Sequence, residues 1–325
     1  MIVGAGVAGC VCGYLLEKAG VDCVVVDWAS FPREKVCGGG LTPKAYGLLE
    51  GLMPGLRYGY EGVRRFRLML EGRTLCVVDL ERELRMVRRR DFDYGLLREY
   101  EGAGGELVKG AFERFEELAE GGIRVTLRSG EVLDCDWLVG ADGANSRVRR
   151  QLTGRRSGGS LWVEEYVEKG AREFVFEFSS RYRNGYWFRF PSVGRDVVGM
   201  GGLYSSLGEL EEVRGCRSEG VQYGGRIPLD TVDSGKDNVI LIGDAGGFAN
   251  KLTYEGLYYA IATGRNASRA IVEGRSFADT NRDIFRRKRK EVYITRLFYS
   301  RLGLGLMRLG AHCPRLIKRA FELNY

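Results

Sequence analysis

Gly4, Gly6 and Gly9, in the run GAGVAG, follow a short apolar stretch from Met1 to Val3. They open a pattern in which Val7, Cys10, Val11, Tyr14 and Leu15 share one helix face. In that setting the first glycine permits a tight turn and the second lets backbone approach a pyrophosphate. The third lets helix and strand pack closely, while free N–H groups at the helix N-terminus receive the phosphates. Ala8 belongs to the same cofactor-binding run, and Gly20 stops the helix. The apolar run Cys23 to Val26 then delivers Asp27. Its carboxylate can accept hydrogen bonds from the adenosine ribose hydroxyls and would repel a 2′-phosphate, so the site favours FAD or NAD over NADP. The bland alternative is a Gly-rich turn with an ordinary strand-end Asp.

Two later segments carry the same kind of signal: DWLVGADGANSRVRR (Asp136 to Arg150) and NVILIGDAGGFANKLTYEGLYYA (Asn238 to Ala260). In each an apolar strand runs into an acid, Asp142 and Asp244. Strand-end turns often contain Asp-Gly or Asp-Ala, so either segment alone would be ordinary. With the N-terminal fingerprint, the three describe one bound FAD.

The absences narrow the chemistry. The one histidine, His312, sits in an Arg-rich tail, so a Ser-His-Asp triad, a multi-His zinc site and a two-His iron centre are all excluded or nearly so. No metal site is expected, and an organic cofactor must carry the reaction. The eight cysteines, Cys216 among them, form no C-x-x-C pair. A disulfide scaffold does not suit a chain of this size without a signal peptide, so a cytoplasmic location with reduced thiols is expected. The chain starts so abruptly inside its first strand that residues upstream are expected too.

Net charge is +7, and its distribution is lopsided. Arg282 to Tyr325 holds twelve Lys or Arg against three Asp or Glu, leaving 38 basic and 40 acidic residues elsewhere. Ile294, Phe298, Leu302, Met307 and Leu309 follow the basic cluster Arg286 to Lys290 at about one per helical turn. Such a helix suits the surface of an anionic membrane, giving peripheral contact. The competing reading is a C-terminal helix packed across the cofactor domain with a solvated basic edge. No apolar run reaches the ~18 residues of a spanning helix, and no nucleic-acid signature accompanies the charge.

The elements that must position these residues alternate between two patterns. A Rossmann-like α/β FAD-binding domain is expected from 1–58, 87–153 and 228–275, with a helix around Asp93 to Gly102. A strand-rich α+β substrate domain is expected from 59–86 and 154–227, with strands at Ser160 to Tyr166, Glu173 to Phe178, Gly185 to Phe190 and Val197 to Leu203. A basic helical region, 276–325, completes the chain.

On these residues the chain resembles the geranylgeranyl reductase family, within the flavoproteins built like p-hydroxybenzoate hydroxylase. The likeness runs from residue 1 to about 272. KVCGGGLTPKA (Lys35 to Ala45) resembles that family's Cys-Gly-Gly segment, RRDFD (Arg89 to Asp93) its Arg-x-x-Phe-Asp, and GGRIPL (Gly224 to Leu229) its lead-in to the last flavin strand. The resemblance implies that Asp244 bonds a ribityl hydroxyl, and that Gly256 and Leu257 bring a helix N-terminus to the pyrimidine end of the flavin. It implies contact of Arg89 with the pyrophosphate or ribityl region, of backbone near Ala111 with adenine, and of Cys37, Gly38 and Gly40 with the ring. Asp142, Gly143 and Arg147 would form a second phosphate-side loop.

NGYWFRFP (Asn184 to Pro191) resembles the family's Tyr-x-Trp-x-Phe-Pro, with Phe188 where Trp is expected. Tyr186, Phe188 and Phe190 alternate along it and would line an apolar substrate cleft; the alternative is a plain aromatic core strand. A prenyl chain of about twenty carbons could gain up to roughly 16 kcal/mol there. The implied activity is reduction of prenyl C=C bonds by hydride from reduced flavin N5. Cys37 is a candidate proton donor or a small packing residue, and Tyr186 a second candidate donor. No second Gly-rich fingerprint is present, so NAD(P)H would visit transiently or another donor would reduce the flavin. Two rivals stand beside this reading: a flavin monooxygenase or halogenase acting with O₂ on an aromatic, and a non-catalytic flavin-binding redox protein at the membrane surface. Gly246-Gly247 in place of the His or Pro of aromatic hydroxylases, and YWFRFP in place of the halogenases' Trp-x-Trp-x-Ile-Pro, weigh against the first.

Overall fold

Short runs of Val, Ile and Leu without alternation form strands buried on both faces, and with one less buried edge strand they make a parallel sheet of five. They are β1 (Ile2–Val3), β2 (Val24–Asp27), β6 (Glu106–Lys109), β10 (Leu138–Gly140) and β16 (Val239–Leu241), in the order β16-β10-β1-β2-β6. β1 is central: Ile2 pairs with Val139 on one side and Val25 on the other. The computed structural model describes residues 1–155, 158–214, 222–236, 238–310, 313 and 315–319; His312 and Cys216 lie outside them. Helix α1 (Val7–Lys18) packs against α3 (Arg89–Gly102) and α6 (Leu257–Glu273). The buried Tyr100 ties α3 to the sheet by donating to the carbonyls of Cys23 at 2.5 Å and Glu106 at 3.0 Å.

The second sheet has eight strands, ordered β15-β11-β14-β13-β12-β4-β5-β3. Its members are β3 (Gly40–Leu41), β4 (Tyr60–Leu70), β5 (Arg73–Val87), β11 (Gly159–Val167), β12 (Phe174–Phe178), β13 (Tyr186–Ser192), β14 (Arg195–Gly202) and β15 (Gln222–Pro228). Along β5, Cys76, Val78 and Leu80 are buried while Val77, Asp79 and Glu81 face out. At the sheet's edge β3 pairs with Met86 and Arg85, which fixes the glycine run just ahead of α2 (Pro43–Leu52).

A three-stranded antiparallel sheet, β7 (Phe112–Glu117), β8 (Ile123–Leu127) and β9 (Val132–Cys135), lies between β6 and β10 in the chain. Helices α4 (Arg147–Thr153), α5 (Leu207–Arg214), α7 (Phe277–Thr280), α8 (Arg282–Phe298) and α9 (Arg301–Gly310) complete the described elements.

Two expectations shift. The helix expected from Asp93 begins at Arg89, because Arg89 and Asp93 form an i,i+4 ion pair inside it. The tail is not one amphipathic helix: it breaks after Phe298 into α8 and α9. Its apolar residues divide accordingly. Phe298 and Met307 pack on the core of the eight-stranded sheet, whereas Ile294, Leu302 and Leu309 are exposed.

Candidate cofactor and substrate site

At the carboxyl end of β1 the glycines serve different contacts. Gly4 has φ +110°, and a Cβ there would sit 2.4 Å from the Ala141 carbonyl oxygen. One on Gly9 would sit 1.9 Å from the Gly4 oxygen, so helix and strand touch through backbone. Gly6 differs, since the nearest atom to its Cβ position is Arg33 Nη2 at 3.9 Å. Its face is an open cradle at the N-cap of α1. Ala8 marks the crossing of α1 with α6: its Cβ lies 3.0 Å from the Cβ position of Gly243, and its carbonyl 2.7 Å from that of Gly264.

Asp27 organises this loop. Its Oδ2 accepts from the Ala5 amide at 2.7 Å and its Oδ1 from Ala29 at 2.8 Å. Each oxygen keeps a lone pair for a ribose hydroxyl. The Gly110 amide donates to the Asp27 carbonyl, placing Ala111 beside it, and Arg147 Nη1 reaches the Phe112 carbonyl at 3.3 Å. Asp27, Ala111 and Arg147 therefore meet at one end of the parallel sheet.

Asp142 is occupied as a helix cap. It accepts from Ser146 Oγ at 2.5 Å and from the amides of Arg147 and Val148 in the first turn of α4. Burial pushes its carboxyl up to about 6 against the pull of those hydrogen bonds. Gly143, with φ +76°, leaves open space beside it. Asp244 ends the β16 segment with Oδ1 3.5 Å from the Cβ position of Gly256. Gly256 is the N-cap of α6 and Leu257 its first, buried residue. The segments around Gly4, Asp142 and Asp244 thus converge.

The Cys37 to Gly40 loop lies where the two larger sheets meet. The Cys37 amide donates to Glu164 Oε1 on β11 at 2.8 Å, and its thiol accepts from the Gly39 amide at 3.4 Å. Gly39 has φ +76°, and a side chain there would strike the Val87 carbonyl. Arg89 is buried against Asp93 at 2.7 and 2.8 Å and reaches the Cys37 thiol. Burial disfavours its cation, yet the Asp93 carboxylate and the thiol outweigh that and hold its pKa above the ordinary arginine value. Arg89 thus braces the loop from below.

Behind the loop stands an aromatic wall. Phe190 lies 3.0 Å from the Cβ position of Gly38 and 4.3 Å, ring to ring, from Phe188. Tyr186 packs on Trp162 at 4.8 Å and donates its hydroxyl to the Thr253 carbonyl at 2.7 Å, three residues before Gly256. Tyr186 and Phe188 are buried among rings of this sheet. The structure therefore brings Cys37, Gly38, Phe188 and Phe190 together, with Tyr186 tied to the loop that enters α6.

Residues 2–40 match the model of an NAD(P)-binding Rossmann-like domain. An uncharacterized protein of Methanosarcina barkeri is 26% identical, over 97% of this chain and 87% of its own. The chloroplastic geranylgeranyl diphosphate reductase of Oryza sativa is 28% identical over 84% of this chain and 66% of its own length. The menaquinone reductase of Mycobacterium tuberculosis is also 28% identical, over 83% and 76%. The chain is similar to these named reductases, in keeping with the resemblance to geranylgeranyl reductases carried by its sequence motifs. Among solved structures, a geranylgeranyl bacteriochlorophyll reductase-like protein of Thermoplasma acidophilum has a TM-score of 0.72 at 18% identity, covering 98% of this chain and 89% of its own. A probable FAD-dependent monooxygenase of Pseudomonas aeruginosa has 0.74 at 20%, covering 96% and 98%. At such identities these two share the fold alone.

The residues present fit FAD. The open face of Gly6 leaves room for a pyrophosphate, and Asp27 keeps free acceptors for a ribose. A buried arginine beside Gly247 escaped the reading of the sequence. Arg149 is buried on α4, and its Nε and Nη1 make no hydrogen bond among the described residues. Burial lowers its pKa, while Asp230 opposes that. The run Arg147-Val148-Arg149-Arg150 offers three arginines, and only the fold shows which of them is turned inward. Glu164 was missed for the same reason. It reads as one acid in a strand, yet burial lifts its carboxyl to about 7 against the Cys37 amide and the charges of Lys35, Arg89 and Arg195.

Proposed function

We propose that this enzyme reduces carbon–carbon double bonds of an isoprenoid or prenyl lipid. The observation that carries the reading is the junction of the Cys37 to Gly40 loop with the Phe188–Phe190 wall, which sets the loop assigned to the flavin ring by resemblance against apolar aromatic surface. When bound, the flavin supplies a hydride to one carbon of the double bond. The relatives named as geranylgeranyl diphosphate and menaquinone reductases support a prenyl substrate.

The chain's own residues divide the remaining work. Gly4, Gly6, Ala8, Gly9 and the α1 N-terminus hold the pyrophosphate. Asp27 takes the adenosine ribose, backbone at Ala111 the adenine, and Gly143 with Arg147 flanks them. Asp244 takes the ribityl chain. Gly256 and Leu257 direct the N-terminus of α6 at the pyrimidine edge, where its dipole favours negative charge. Arg89 and Glu164 hold Cys37 and Gly38 at the ring. The rings of Phe188 and Phe190 exclude water and bury the chain of the substrate. The proton for the second carbon comes from Cys37 or Tyr186. Reduction of the flavin falls to NAD(P)H or another donor that visits.

The test is anaerobic mixing of the photoreduced holoenzyme with isoprenoid diphosphates, prenylated quinones and unsaturated ether lipids. Reoxidation of the flavin band with a product heavier by two hydrogens per double bond is expected. No turnover across the panel, together with hydroxylation of an aromatic in air, would replace this reading with that of a monooxygenase.

A further inference from the structure

Helices α8 and α9 each show solvent an apolar row. Tyr293, Ile294 and Leu297 lie on one side of α8, and Leu302, Leu306 and Leu309 follow one another at i, i+4 and i+7 on α9. All six are more than half exposed, from 51% at Leu306 to 74% at Tyr293, which is far from the single scattered leucine of an ordinary surface. The same stretch, Arg282 to Gly310, holds nine Lys or Arg and only two Asp or Glu. Lys288 and Glu291 are buried with each other, so Asp283 is its one exposed acid. Arg286, Arg289, Lys290, Arg296, Arg301 and Arg308 remain exposed beside the apolar rows.

We infer that this face is a docking surface for an anionic lipid bilayer. Exposed apolar rows with cations beside them are the arrangement that sinks leucines among acyl chains while arginines meet lipid phosphates. A second copy of the chain would set these cations against one another, so charge complementarity selects the membrane. No described helix is long and apolar enough to cross a bilayer, and the contact is therefore along the surface. The other side of these helices gives the docking a direction. Phe298, Leu304 and Met307 pack onto the eight-stranded sheet, with Phe298 5.3 Å from Phe178 and Phe178 5.6 Å from Tyr186. Phe178 thus bridges the sheet-facing side of these helices and the proposed substrate wall. Delivery of a lipid across that short path rests on the reductase reading, whereas the docking does not.

Flotation of the FAD-loaded protein with vesicles of phosphatidylglycerol and phosphatidylcholine tests it directly, with pure phosphatidylcholine vesicles alongside. Binding to the anionic vesicles, weakened by salt and by omission of phosphatidylglycerol, is expected. Leu302→Glu, Leu306→Glu and Leu309→Glu together should cut the bound fraction by about tenfold or more, and Arg289→Glu with Lys290→Glu and Arg296→Glu should do the same. Flavin absorbance and melting temperature should stay unchanged in both variants. The inference is overturned if folded wild-type protein does not float with the anionic vesicles, or if the leucine variant floats equally well. A dimer that the leucine variant dissociates, with no vesicle binding, also overturns it. Vesicle binding needs no turnover, so failure here and failure of the reductase reading are told apart.

Discussion

The loop at Gly4 to Gly9 and the wall at Tyr186 to Phe190 are built on opposite terms. In the loop, backbone meets backbone: Gly9 touches the Gly4 carbonyl, and Gly4 touches Ala141. Nothing there can rotate away from an added methyl. In the wall, rings meet rings at 4.3 to 6.2 Å, and a ring can turn or be replaced by another apolar group. In the proposed reading the first region fixes the cofactor, and the second leaves room for the substrate to vary.

The largest effect should come from testing that contrast with single methyl groups. Gly9→Ala forces a Cβ into a carbonyl oxygen and should cost at least about 3 kcal/mol, seen as loss of soluble, yellow protein. Gly6→Ala meets no protein atom closer than 3.9 Å and should melt within about 1 kcal/mol of wild type. Its methyl would fill the pyrophosphate's place, weakening flavin retention by ~1.4 kcal/mol or more, a tenfold loss measurable by equilibrium titration. Equal flavin affinity in Gly6→Ala would remove the cofactor from that cradle.

The sharpest opposite case is Phe188→Ala. Truncating a ring buried against Trp162 and Phe190 should cost roughly 3–5 kcal/mol in denaturant unfolding. Phe188→Leu keeps most of the volume and should cost less, about 1 kcal/mol. Both should retain flavin when folded, which Gly6→Ala should not. If Phe188→Leu loses flavin as completely as Gly6→Ala, the two regions are not separable.

That separation also explains what could be read from sequence. Contacts between backbones demand glycine, and glycine at fixed spacing is visible, so GAGVAG and Asp27 were legible with their partners unseen, whereas the Cys37 to Gly40 run was read only through its likeness to a family segment. The strands from Ser160 to Leu203 were legible too, as short runs rich in Val, Phe, Tyr and Trp. Directions of side chains were not. Nothing local distinguishes Arg149 from its neighbours Arg147 and Arg150, or Glu164 from Glu165. The start of α3 was placed late because the Arg89–Asp93 pair, which holds its first turn, reads as charge and not as helix. The tail read as one helix because i,i+4 spacing continues across the break at Tyr299, and packing of Phe298 and Met307 on the sheet decides it instead.

A smaller effect tests the seam between the regions. Glu164 is lifted to about 7 by burial, and Asp142 to about 6 and Glu255 to about 7 by the same cause. Each binds its proton more tightly folded than unfolded. The stability this gives is complete below the ordinary carboxylate pKa and disappears as pH rises through 6 to 7. The apoprotein should therefore melt lower at about pH 8 than at about pH 5, with each carboxyl contributing on the order of 1–3 kcal/mol. Lys44 and Lys288, both lowered to about 8 chiefly by burial, act in the opposite sense above that pH. Glu164→Gln keeps an oxygen for the Cys37 amide and loses the titration. Its melting temperature should depend less on pH than that of wild type, and an unchanged profile would place Glu164 outside the seam.

The smallest change in stability should be the most informative about chemistry. Tyr186 gives its hydroxyl to the Thr253 carbonyl, while its ring stays packed on Trp162 and Phe176. Tyr186→Phe preserves the ring and should cost only about 1 kcal/mol, the worth of one buried hydrogen bond. If Tyr186 is part of the wall alone, flavin reoxidation by a prenyl substrate should proceed at a nearly unchanged rate. If it supplies the proton, reoxidation should slow by about a hundredfold or more at equal flavin occupancy, and Cys37→Ala should then leave the rate largely intact. The two variants give opposite results for the two donors, because only one hydroxyl or thiol need reach the second carbon. A rate lost in both would mean that the loop and the wall hold a single substrate geometry between them. The contrast drawn from Gly9 and Phe188 would then stop at the cofactor.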